Sequence, residues 1–161
     1  MKQYLWMAVL TYVAFLGEFV LYNVFGPWGK PEFLLLWIIF SNLYWGVRHS
    51  LVAAVMGGLL KGAFDIEPSM THVFLFVCAA YLTTFIRKTV YKPGSRFSRL
   101  VVAFLVLVSV FVVDLLLHVR LMDVRLLEAL THILFPSLVL TMLAATLVFA
   151  WLKSFLGWLK L

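Results

Sequence analysis

The stretch LVAAVMGGLLKGAFDI, Leu51 to Ile66, decides the fold: it is as apolar and glycine-rich as a membrane helix, yet it carries Lys61 and Asp65 within its length. A charged side chain at the centre of a bilayer costs about 2.5–3.5 kcal/mol on insertion scales, so it must find a partner or water. Lys61 and Asp65 stand four residues apart and share a helix face. Ala54, Gly58 and Gly62 recur at the same spacing, with Ala53 and Gly57 as a second row. Such a small-residue ridge lets another helix, from this chain or from a partner, approach closely. GGLLKG lacks the spacing and the following Ser or Thr of a phosphate-binding loop.

Outward from this segment the composition fixes the solvent. Of 161 residues, 65% are hydrophobic and 12% charged, and the mean hydropathy is +1.06. A chain this small cannot bury so much apolar surface in one water-soluble core, whereas helices of about 20 residues leave it in lipid. Apolar blocks separated by Gly, Pro and charge mark six spans, at about residues 4–25, 33–47, 50–65, 70–87, 100–119 and 133–152. The second and third are short and are divided only by Gly46 to His49, read as an interfacial turn. The first span is too long for a secretion signal and lacks a small-x-small cleavage site, so it is expected to be retained. The fold class is an all-α integral membrane protein, one polytopic domain of six transmembrane helices in a compact bundle.

Numbering the spans in order puts nine basic residues on one side (Lys2, Arg48, Arg87, Lys88, Lys92, Arg96, Arg99, Lys153 and Lys160) and Lys30, Arg120 and Arg125 on the other, with the acids Glu32, Glu67, Asp123 and Glu128. The positive-inside rule then places both termini in the cytoplasm. Tyr44, Trp45, Trp151 and Trp158 fall near the cytoplasmic ends, and Tyr22 and Trp28 near the opposite face, as interfacial anchors. The loop YKPGSRFSRL, with Arg87, Lys88, Lys92, Arg96 and Arg99 in reach and no acid, sets topology and attracts anionic lipid, or docks a partner. Residues 153–161, KSFLGWLKL, suit a tail that forms a short helix lying in the cytoplasmic interface, and LMDVRLLEAL suits an amphipathic segment on the outer surface. The positive charge is explained by topology, and nucleic acid is not expected as a partner.

At about 1.5 Å per residue from the cytoplasmic ends, Glu18, Lys61, Asp65 and Asp114 fall about 17–22 Å across, with His118 a little further. Spans one, three and five thus bring them together in the outer half of the membrane. Two readings follow: a structural network centred on Lys61, or a polar pocket or proton path. His72 and His132 lie near the same boundary and are expected to be solvated or hydrogen-bonded. Cys78, in apolar sequence, is expected to be a packed, inert thiol. No hydrolase elbow, zincin motif or Cys/His metal spacing occurs, so no catalytic residue, metal or cofactor is expected.

The block from Lys30 to Lys88 resembles the bacterial rod-shape-determining MreD family. The likeness rests on Pro31, Glu32, Leu34 and Leu35 opening the second helix, on the glycine-rich third helix ending in Phe64, Asp65 and Ile66, and on Pro68, Ser69, His72, Arg87 and Lys88 after it. Glu32 stands where Asp is commoner in that family, and Lys61 where a small or apolar residue is usual. The resemblance implies a non-enzymatic inner-membrane component of the cell-elongation and peptidoglycan-synthesis machinery. It implies the bitopic partner MreC and, with it, a link between the MreB filament and the RodA glycosyltransferase with its penicillin-binding transpeptidase. It also implies a bundle resembling the substrate-binding subunits of energy-coupling-factor vitamin transporters. The alternative function is accordingly a small-molecule binding subunit of a transporter, although Ala8 and Ala14 are six apart and make no Ala-xxx-Ala docking motif.

Overall fold

In the computed structural model the described residues are 2–26, 31–64, 69–91, 95–122 and 135–159, and they form six helices. These are α1 (Lys2–Phe25), α2 (Phe33–Trp45), α3 (Val47–Phe64), α4 (Ser69–Val90), α5 (Arg96–Met122) and α6 (Phe135–Leu159). Asp65, Lys92, Trp28, His132 and most of the expected amphipathic segment, 123–130, lie outside the described residues.

The sequence FLLLWIIFSNLYW of α2 is apolar on every face, the pattern of a helix enclosed by protein. Every residue from Leu34 to Leu43 is buried, and all five other helices pack on α2. With 13 residues it is about 20 Å long, short of the roughly 30 Å hydrocarbon layer. Its neighbours carry the length: Tyr4–Val24, Ser69–Val90, Phe97–Leu117 and Pro136–Phe155 are each long and apolar enough to cross a bilayer. Large apolar side chains such as Leu5, Phe85, Leu143 and Leu147 stay exposed on these outer helices. An exposed apolar coat of this kind is suited to lipid.

Gly46 alone separates α2 from α3, at φ +89° and ψ 179°. That region is essentially restricted to glycine. The expected turn over Gly46 to His49 is therefore tighter than its sequence suggests: Ser50 N–H donates to the Gly46 carbonyl (3.2 Å), His49 Nδ1 lies 3.0 Å from the Trp45 carbonyl, and Arg48 and His49 already belong to α3.

The small-residue ridge of α3 is filled by α4. Ala54, Gly57, Gly58 and Gly62 are all buried, and a Cβ added at Gly58 would sit 2.6 Å from Val73 Cα. At Gly62 it would collide with the backbone of Ser69. Contact this close between backbones is what the spacing of four permits.

At the chain's C-terminal end the helix does not stop near residue 152. KSFLGWL continues α6 through Leu159, so the segment expected as a short helix of its own is the last turns of a 25-residue helix about 37 Å long. Its one proline, Pro136, stands in the first turn, where no helical N–H is lost, and Gly157 is tolerated inside the helix.

Candidate functional site at the buried helix

The N-terminal end of α2 needs partners for its first backbone N–H groups, and it has them from outside its own sequence. The Leu34 N–H donates to Glu18 Oε2 of α1 at 3.4 Å. The Glu32 N–H donates to Thr141 Oγ1 of α6 at 3.0 Å, and that hydroxyl donates in turn to the Ser137 carbonyl at 2.6 Å. A carboxylate placed here also meets the positive end of the α2 dipole.

Lys61 of α3 closes the arrangement. Its ammonium lies 2.6 Å from Glu32 Oε2 and 3.2 Å from Glu18 Oε1, with the Phe76 ring centroid at 5.5 Å. Glu18 is 3% exposed, so its charge depends on the ammonium and the N–H that face it. One cation thus joins α1, α3 and the start of α2, while Thr141 ties α6 to the same end.

Glu18 and Lys61 meet, and Glu32, assigned from sequence to an outer loop, is the closest partner of Lys61 among the described residues. Its signal in the sequence is Pro31-Glu32 directly before an apolar helix, the N-cap position of α2, which lies outside the spans themselves. Asp114 is half-buried on α5, His118 lies further along the same helix, and Asp65 is outside the described residues.

The middle and far end of α2 are held the same way. Trp37 Nε1 donates to Thr11 Oγ1 of α1 at 3.0 Å. Asn42, fully buried, donates from Nδ2 to the Ala80 carbonyl (2.8 Å) and Thr84 Oγ1 (2.9 Å) of α4, and its own carbonyl accepts from Arg87 Nη1 at 2.8 Å. Arg99 Nη1 donates to Tyr44 Oη at 2.6 Å. The basic cluster read as a loop is therefore largely helical: Arg87 and Lys88 end α4, Arg96 and Arg99 begin α5, and Arg87 and Arg99 turn inward to the C-terminal end of α2. Lys88 remains exposed.

Among the described residues no group of three or more His, Cys, Asp or Glu side chains is placed to hold a metal ion. An apolar exterior, four helices of membrane-crossing length and charges neutralised within the bundle define a polytopic helical membrane protein. The chain belongs to the MreD family: the family model, described as rod shape-determining protein MreD, matches residues 1–158. It is thereby a membrane component of the elongasome that sets cell shape. No curated protein and no solved structure matches the chain, so the expected likeness to energy-coupling-factor subunits is not shown.

Proposed function

We propose that this chain is a non-enzymatic scaffold of the bacterial cell-elongation machinery. All six helices lie within the inner membrane, and both termini face the cytoplasm. The scaffold binds the transmembrane helix of an MreC-like bitopic protein and so links the MreB filament to RodA and its penicillin-binding transpeptidase. Its basic end, rich in Arg and Lys, faces cytoplasmic filaments and anionic lipid.

The observation that carries this reading is the use to which the intramembrane charges are put. Glu18, Glu32 and Lys61 satisfy one another and the first turn of α2. Charges spent on joining helices favour a rigid frame over a transport path or an acid–base site. Because α4 fills the glycine ridge of α3, the partner helix docks elsewhere on the apolar exterior.

The test is crosslinking in membranes followed by purification of the tagged chain. Recovery of a single-span partner with the cell-wall synthases is expected. Recovery instead of an ATPase complex or a bound small molecule contradicts the scaffold.

A further inference from the structure

We propose that the cavity between α5 and α6 is a binding site for the phosphate headgroup of an anionic membrane lipid. It has a volume of about 480 Å³ and is lined by Arg99, Leu100, Thr146, Phe149, Lys153 and Ser154 among others. That volume falls in the range of small-molecule sites, about 300–1,000 Å³.

The charge is built in. Arg99 is 7% exposed, and its guanidinium has five N–H groups. Nε donates to the Ser95 carbonyl at 3.4 Å and Nη1 to Tyr44 Oη at 2.6 Å, and no carboxylate pairs with it among the described residues. Three N–H groups of a planar fork remain for an acceptor, and the geometry of that fork suits phosphate oxygens. Lys153 adds a second positive charge on the α6 side, and the hydroxyl of Ser154 supplies a further donor, whereas that of Thr146 donates to the Leu143 carbonyl at 2.7 Å.

The depth matches a lipid headgroup. Arg99 is in the first turn of α5 and Lys153 in the last two turns of α6, so the cavity opens at the basic end of the bundle, where an interfacial segment meets phosphates. Trp151, 55% exposed and stacked on Phe155 with centroids 5.3 Å apart, marks the same level as an interfacial aromatic. One helical turn apart along α6, Leu147 and Leu143 are 74% and 63% exposed and continue the stripe into the apolar zone, the course of an acyl chain. The Leu100 and Phe149 walls favour a lipid over a free anion. This site depends only on the chain's membrane placement and not on its role as a scaffold.

Native mass spectrometry of the detergent-purified chain tests the site, with phosphatidylglycerol, phosphatidylcholine and inorganic phosphate as probes. Phosphatidylglycerol is expected to remain as a one-to-one adduct about tenfold more than phosphatidylcholine, and millimolar phosphate is expected not to displace it. Lys153→Gln removes a charge from an exposed side chain, and Gly157→Phe fills the cavity mouth at a position where an added Cβ meets nothing within 4 Å. Each is expected to lower retention about tenfold while the protein stays folded. Equal retention of phosphatidylcholine, displacement by inorganic phosphate, or unchanged retention in both variants overturns the proposal.

Discussion

Lys61 joins three elements of this structure, because it is the cation on α3 between the carboxylate of Glu18 on α1 and that of Glu32 at the start of α2. Removing one member of a buried ionic set leaves the others uncompensated, at about 3–5 kcal/mol. Lys61→Met is therefore expected to lower stability by about that amount, read as a fall in folded protein in detergent unfolding and in membrane abundance. Gly46→Ala acts through the backbone alone: at φ +89° an L-residue is strained, and a loss of about 1–3 kcal/mol is expected from the same unfolding curves. At this scale the sequence showed Lys61 to be anomalous and pointed to Glu18. Glu32 was hidden because a residue before a helix reads as solvent-facing, and only the fold shows that the start of α2 is enclosed. The two positions at which the chain departs from the MreD resemblance, Glu32 and Lys61, are partners 2.6 Å apart.

Among the elements, α2 is the axis and the α3–α4 pair its firmest wall. Ala54, Gly58 and Gly62 read clearly in the sequence because close helix approach demands small residues at a spacing of four; which helix approaches was not legible, since lipid-facing and helix-facing apolar residues look alike. Gly58→Leu or Gly62→Leu is expected to force α3 from α4, reducing folded protein in the membrane several-fold, whereas Gly157→Leu, with open space around it, is expected to leave abundance unchanged. Immunoblots of the membrane fraction distinguish these outcomes. That the helix after Lys153 is continuous with α6 was not legible, because Lys153 and the mixed sequence after it resemble a boundary, although charged side chains at a helix end reach the interface without breaking the helix.

For the whole molecule, composition and charge bias were informative because lipid allows few architectures: backbone groups must be satisfied internally, and helices do so alone. The helix count in the described residues follows from that constraint, while the way the helices assemble around α2 depends on side-chain pairings that no periodicity encodes. The proposed orientation has its own test. Reporter fusions at either terminus are expected to be active only in the cytoplasm, and activity outside would reverse the topology.

The central claim is that the Glu18–Lys61–Glu32 set joins helices and performs no chemistry, and cell shape in a strain lacking the native gene tests it most directly. The triple substitution Glu18→Gln, Glu32→Gln and Lys61→Met removes every charge while keeping the size of the side chains and an acceptor for the Leu34 N–H. Neutralising a buried ionic set as a whole is tolerated where removing one member is not. Rod shape is expected to be restored by the triple variant and not by Lys61→Met alone. Round cells containing the triple variant at the abundance and stability of the unaltered chain would show that the charges themselves do the work, and would contradict the account.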